Sequence, residues 1–195
     1  MTMNNIIFNI SIILVALTLS NVSHAMDQSK FWSIIEHTKQ VSQGEQDRQI
    51  DALKKELYLL PENELIEFTY IYYEQKDGAY HWDLCAAVKI INGFCSDDTF
   101  DYFRDWLIAQ GQEAYVGALE DPETLMGIAI PYNTEFEAFR YVMSDVYREK
   151  YDKDILSYEE KTLHTEMMGE PWEKGTLNEK YPKLYKWMKS YNSPQ

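Results

Sequence analysis

Cysteine, histidine and basic residues are all scarce in this chain of 195 residues. Two cysteines are too few for a disulfide scaffold or a four-cysteine zinc site, and the four histidines form no zinc-protease pair. With 18 basic against 32 acidic residues, the net charge is −14, which excludes binding to a phosphate backbone by bulk electrostatics. Phosphate-binding and dinucleotide-binding glycine motifs are also missing, as is a Gly-x-Ser-x-Gly elbow. The sequence therefore predicts no nucleic acid partner, no cofactor and no metal.

The first 25 residues contain no charged side chain. An apolar run from Ile6 to Leu19 is followed by Ser23 and Ala25, which stand at the −3 and −1 positions of a cleavage site. This layout is typical of a secretory signal peptide, and the run is shorter than the roughly 20 residues of a membrane span. We expect a periplasmic or secreted protein with no membrane span after cleavage. Two alternatives stay open, an uncleaved anchor and a true start at Met26 with a cytoplasmic location.

The remaining 170 residues are too rich in apolar and aromatic side chains to be disordered, and their length suits one domain with an appendage. We assign residues 1–25 to the signal peptide, 26–150 to a helical core domain, and 151–195 to a C-terminal extension packed on that core. The charge is unevenly divided between the last two parts. Residues 26–150 carry −13, whereas the extension carries −1 because it holds seven lysines.

Apolar residues recur at helical spacing through most of the chain. Phe31, Ile34, Ile35 and Thr38 occupy one helical face, and comparable stripes begin at Ile50, Leu65, Phe100 and Phe136. No alternating run bounded by hairpin turns indicates a strand. The sequence thus predicts an all-α, single multi-helix globular domain with an irregular C-terminal wrap.

The segment from about residue 80 to 92 differs from the other stripes because it leaves almost no polar face. A helix that is apolar all round is buried on all sides. We therefore expect this segment to be the central helix of the domain, ending at Asn92 and Gly93.

One concentrated polar cluster follows this helix, and its candidate members are Asp83, Asp97, Asp98, Asp101 and Arg104. Nearby carboxylates can hold a divalent cation or provide a general acid and base. In the competing interpretation, Ser96 caps a helix whose positive end Asp97 and Asp98 satisfy, and Asp101 pairs with Arg104. Asp105, in this interpretation, belongs to an exposed turn.

Asp83 lies on the otherwise apolar helix, so we expect it to be half-buried and paired with Arg104 on the next helix. Tyr80 and Trp82 are candidates for an aromatic rim beside it, although their spacing also suits a core position. Cys85 and Cys95 are ten residues apart. At about 1.5 Å of helical rise per residue their Cα atoms would be too distant for a disulfide, which predicts two buried free thiols.

The run Ser96-Asp97-Asp98-Thr99-Phe100-Asp101-Tyr102-Phe103-Arg104-Asp105-Trp106-Leu107 resembles the bacterial family known as domain of unknown function 4240. Further similarity lies at residues 121–125, and at 169–172 near the C-terminus. The resemblance implies an all-helical fold. It brings no established activity, so no catalytic residue is assigned from it.

These observations favour a non-catalytic, acidic protein-binding module of the bacterial envelope, either immunity-like or an envelope interaction protein. An acidic surface steers encounters with a basic protein partner. The alternative hypothesis is a hydrolase, metal-assisted or acid/base, that uses the aspartate cluster.

Overall fold

The computed structural model describes residues 26–155, 166–173 and 175–193. Its α-helices are α1 (Gln28–Ser42), α2 (Gln46–Leu59), α3 (Glu62–Gly78), α4 (Trp82–Asn92), α5 (Asp97–Ala109), α6 (Gln112–Glu120), α7 (Tyr141–Tyr151), α8 (Leu177–Lys180) and α9 (Pro182–Tyr191). Two 3₁₀ segments, Pro122–Gly127 and Glu137–Arg140, lie between α6 and α7. The described residues contain no β-strand, and their one isolated bridge joins His81 to Met168. The prediction of an all-α domain is confirmed.

Local signals account for the helix boundaries. α3 begins directly after Pro61, which cannot continue the preceding helix. α5 begins after Ser96, whose side chain accepts a hydrogen bond from the Thr99 backbone amide. The four residues of the first predicted stripe, including Phe31 and Thr38, are all buried on α1. Helical periodicity thus identified the faces that enter the core.

The central part of the domain is shared between α4 and α5. Leu84 to Val88 and Ile91 of α4 are buried, as the apolar run predicted. α5 packs against α1, α3, α4, α6 and the second 3₁₀ segment, so it contacts elements that precede it and elements that follow it in the sequence. The inward-facing polar side chains of α5 therefore lie at the centre of the fold.

The prediction of two free thiols is wrong, because Cys85 and Cys95 form a disulfide with their Cα atoms 6.0 Å apart. The estimate from helical rise assumed that the helix continues. Instead α4 ends at Asn92, and Gly93 adopts a left-handed conformation with φ of 86°. Such a φ suits glycine, and it turns the chain back so that Cys95 returns to α4.

The described part of the C-terminal extension is held against the domain by polar and aromatic contacts. The backbone of Met168 exchanges hydrogen bonds with Tyr80 and Trp82, and Trp172 packs edge-on against Trp82. Glu123 of the first 3₁₀ segment accepts hydrogen bonds from two backbone amides at the start of α9, at 2.6 and 3.1 Å. It thereby satisfies amides that have no partner within the helix. The predicted signal peptide, residues 1–25, lies outside the described residues.

Candidate functional site

The structure separates the predicted aspartate cluster into two parts along α5. Asp97 and Asp98 lie in its first turn, where both are exposed and next to the positive end of the helix. Asp101 lies one turn further on and is directed into the protein. Its carboxylate pairs with Arg104 at 2.8 Å, with Lys76 at 3.0 Å and with Arg140. Asp101 and Arg104 therefore come together as the sequence predicted, whereas Asp97 and Asp98 do not join them.

Asp105 completes this cluster, and its place in the structure contradicts the expected exposed turn. Its side chain is fully buried, at 0% exposure. One oxygen lies 2.7 Å from the Lys76 ammonium and accepts a hydrogen bond from the Tyr72 hydroxyl, while the other lies 2.5 Å from an Arg140 nitrogen. The ion-pair cluster, as we name it, consists of Tyr72, Lys76, Asp101, Arg104, Asp105 and Arg140.

Burial and charge act in opposite directions on the groups of the ion-pair cluster. Burial raises the pKa of Asp105 above its usual value, even though Lys76, Tyr72 and Arg140 oppose this shift. At Asp101 burial also raises the pKa, but Lys76 and the two guanidinium groups outweigh it, so the pKa lies below its usual value. Burial lowers the pKa of Lys76 although both aspartates oppose it. The pKa of Asp101 is lowered while that of Asp105 is raised because Asp101 keeps contact with solvent, with 28% of its side chain exposed.

Aromatic rings enclose the two guanidinium groups. The Tyr80 ring centre lies 4.7 Å from the central guanidinium carbon of Arg104, and the Tyr102 ring centre lies 4.9 Å from that of Arg140. Such stacking stabilises a cation that has lost part of its hydration. Tyr80 therefore borders the ion-pair cluster. Trp82 instead contacts Trp172, so Tyr80 and Trp82 do not form the predicted aromatic rim.

The predicted pairing of Asp83 with Arg104 is also wrong. Asp83 contacts Lys180 of α8 at 2.6 Å, while Arg104 turns toward Asp101 and donates to the backbone oxygen of Lys76. Burial raises the pKa of Asp83, but Lys180 and Tyr181 outweigh it and hold this pKa below its usual value. Lys180 belongs to the C-terminal extension, and local sequence patterns do not indicate a contact over 97 residues.

Sequence reasoning missed Tyr72, Lys76 and Arg140. A signal was present on two helices, since Tyr72 and Lys76 are four residues apart on α3 and Asp101 and Asp105 are four apart on α5. Residues at this spacing lie on one helical face, so two complementary pairs can meet when the helices pack. Arg140 gives no comparable signal, because it reaches the cluster from the second 3₁₀ segment.

The ion-pair cluster joins three elements rather than presenting a reactive group. Asp101 pairs with cations from α3, α5 and the second 3₁₀ segment, and Asp105 pairs with those from α3 and the second 3₁₀ segment. Within the described ranges, no three His, Cys, Asp or Glu side chains are arranged to hold a metal ion. Across the same ranges, no helix is both long and apolar enough to span a membrane.

The fold and the ion-pair cluster define the class, a multi-helix domain whose buried charges are paired between α3, α5 and the second 3₁₀ segment. A family model described as "Protein of unknown function (DUF4240)" matches residues 26–149, and the chain belongs to this family. The motifs at residues 169–172 lie beyond the matched part. Searches of curated proteins and of solved structures returned no match.

Proposed function

We propose that this protein is exported and binds a basic protein partner without performing chemistry on it. The proposal rests on the net charge of the residues outside the ion-pair cluster. Its three cations and two carboxylates are paired inside the domain with a net charge of +1, which leaves 15 basic and 30 acidic residues, a net charge of −15, in the rest of the chain. A field of this sign accelerates the approach of a basic protein and repels acidic ones.

Carboxylates are exposed on several sides of the domain. Examples are Asp47, Asp51, Asp97, Asp98, Glu113, Glu120, Glu135 and Glu137.

The alternative hypothesis of a hydrolase has less support, because the carboxylates that it requires lie in three separate places. Asp83 pairs with the extension, Asp97 and Asp98 lie at a helix terminus, and Asp101 pairs within the ion-pair cluster.

Export is supported by two independent features. Residues 1–25 have the apolar run and the small residues of a cleavable signal, and the mature part contains the Cys85–Cys95 disulfide. Disulfides persist in oxidising compartments such as the periplasm and are rare in the bacterial cytosol. A fusion of the full chain to alkaline phosphatase should be active only when residues 1–25 are present. Equal activity without them would overturn export.

Partner binding is tested by capture. The tagged protein, purified from the cell envelope, is incubated with an envelope extract at low salt, and we expect one stoichiometric basic protein that is released as salt rises. Asp47, Asp51, Asp97 and Asp98 are changed to Asn in one variant, and the exposed lysines Lys55, Lys89, Lys186 and Lys189 to Gln in a matched control. Only the first variant should capture less. No captured partner at low salt, or equal loss in both variants, would contradict the proposal.

A further inference from the structure

A short segment after the first 3₁₀ segment exposes apolar side chains at alternate positions. Ile128 is 36% exposed, Ile130 60% and Tyr132 57%. Single exposed apolar residues are common on proteins, but neighbouring ones are a feature of interaction surfaces. Here Ile128, Ile130 and Tyr132 occupy alternate positions in one short stretch of chain.

A groove of about 170 Å³ lies beside this segment. Trp106 and Phe136, which are both almost fully buried, contribute aromatic surface to it, and Ile128 and Ile130 contribute aliphatic surface. Amide side chains complete the lining, namely Gln46, Gln49, Gln110 and Asn133. This volume is below the range of typical small-molecule sites, so the groove suits a single side chain of a larger partner.

The segment is held in place from both sides. The Tyr132 hydroxyl donates to the side-chain oxygen of Asn192 at 3.0 Å, and the Thr134 hydroxyl donates to that of Asn92, also at 3.0 Å. Tyr132 has a φ of 61°, a left-handed conformation that is uncommon for a bulky residue and persists only where surrounding contacts impose it. The groove is therefore preformed, which lowers the entropy cost of binding.

The charges around the groove indicate the sign of the partner. Glu45 lies between the lining residues Gly44 and Gln46, and Glu135 immediately precedes Phe136; both carboxylates are exposed. The Gln46 side-chain amide donates to the backbone oxygen of Glu135, which brings the two positions together. Lys39, which also lines the groove, donates to the backbone oxygen of Gln110 at 2.6 Å and keeps its positive charge, so Lys39 and the two glutamates together sum to −1.

We infer that this groove receives one apolar side chain from a basic segment of the partner protein, with flanking Lys or Arg residues paired to Glu45 and Glu135. The inference rests on the proposed function and names its surface. The aromatic and aliphatic lining accepts the apolar anchor, and the exposed Asn133 side chain hydrogen-bonds to the backbone beside it, since the amides of the three glutamines in the lining already donate within the protein.

The test uses defined peptides and chemical-shift mapping of the ¹⁵N-labelled protein. The probe is the amidated and acetylated peptide Lys-Lys-Leu-Lys-Lys, compared with Lys-Lys-Ser-Lys-Lys and with Glu-Glu-Leu-Glu-Glu. We expect saturable shifts at Gln46, Trp106 and Asn133 with the first peptide, and affinity about tenfold lower for each of the other two. Equal binding of all three peptides, or shifts confined to other surfaces, would overturn the inference.

Two variants and one control test which residues contribute to peptide binding. Ile130→Ser should weaken binding of the first peptide about tenfold, since it removes apolar contact at the groove. The matched control is Leu59→Ser, which changes a 79% exposed apolar residue at the opposite end of α2, about 20 Å from Gln46 along the helix, and should leave binding unchanged. Glu45→Gln is a further test, because the Glu45 side chain does not cap α2 and its loss should reduce affinity without harming the fold.

The failure of this inference can be told apart from failure of the proposed function. If the Ile130→Ser variant captures the envelope partner as well as the wild type does, the function stands and the groove is not its site. If the wild type captures no partner at low salt, the proposed function fails whatever the peptides do.

Discussion

The four aspartates of α5 fall into two halves with opposite surroundings, an exposed pair in the first turn and a partly or fully buried pair beyond it. Asp97 and Asp98 are exposed in the first turn, whereas Asp101 and Asp105 enter the ion-pair cluster and contact Lys76 and Arg140. All four are identical side chains within nine residues of sequence. The comparison shows that burial, not residue type, decides whether a carboxylate belongs to the solvent-exposed surface or to the interior.

The stability of the two halves also has different sources. The buried half depends on charges that compensate one another away from water, where removal of one member leaves the others unpaired. The exposed half depends on the Ser96 cap and on the disulfide at Cys95, the residue immediately before that cap. Four substitutions separate these contributions, in order of decreasing expected effect, and a fifth, Ser96→Ala, serves as the contrast to the last of them.

Asp105→Asn should have the largest effect. The substitution keeps the shape of the side chain but removes the charge that faces Lys76 and Arg140 in a fully buried site. We expect the free energy of unfolding to fall by about 3–5 kcal/mol, measured by urea denaturation with circular dichroism. A loss below about 1 kcal/mol, the range of exposed ion pairs, would show that the two halves do not differ as described.

Removal of the disulfide comes next. Cys95→Ser opens the loop between Cys85 and Cys95 in the unfolded state, and by the chain-entropy estimate it should cost about 3 kcal/mol. Reductant should destabilise the wild type by the same amount and leave the variant unaffected. A wild-type urea midpoint that reductant does not move would contradict this prediction.

Asp101→Asn should cost about 2 kcal/mol at neutral pH, because it weakens contacts to three cations in a partly buried site. The folded state holds the pKa of Asp101 below its usual value of 3.8. Its contribution is therefore fully present above about pH 4 and is lost as pH falls through the lower, folded-state pKa. The stabilities of wild type and variant should converge as pH falls below about 4, and a gap that does not narrow in acid would refute the assignment.

Asp97→Asn should have the smallest effect, below about 0.5 kcal/mol, since it removes only an exposed interaction with the helix terminus. Added salt should abolish this difference by screening. Ser96→Ala in the same turn provides the contrast, with an expected loss of about 1 kcal/mol of stability because it removes the cap. Thermal unfolding at two ionic strengths measures both. An Asp97→Asn loss equal to that of Asp101→Asn would remove the distinction between the halves.

Much of the fold could be predicted because its signals are local. The spacing of Phe31, Ile34 and Ile35 identified the buried face of α1, and Ser96 identified the start of α5. The apolar run on α4 likewise predicted a buried helix. Each of these inferences uses residues within a few turns of one another, where helical geometry fixes which side chains share a face.

The candidate site was predicted only in part, and the errors share a cause. Asp101 and Arg104 are one helical turn apart, so their contact was accessible to sequence reasoning. Asp83 was given the wrong partner because Lys180 is 97 residues away. Local geometry also misled at the cysteines, since the turn at Gly93 reversed a chain that was assumed to continue as a helix.

Local sequence patterns are enough to predict a helical domain, the residues at which several of its helices begin, and an acidic excess in residues 26–150. These properties follow from periodicity, capping and composition, which do not depend on how helices are arranged. The packing of the helices, by contrast, fixes which charges are buried, which cysteines are bonded and which apolar residues border the groove at Ile130. Such features depend on distances between residues far apart in sequence, and those distances are set when the helices pack.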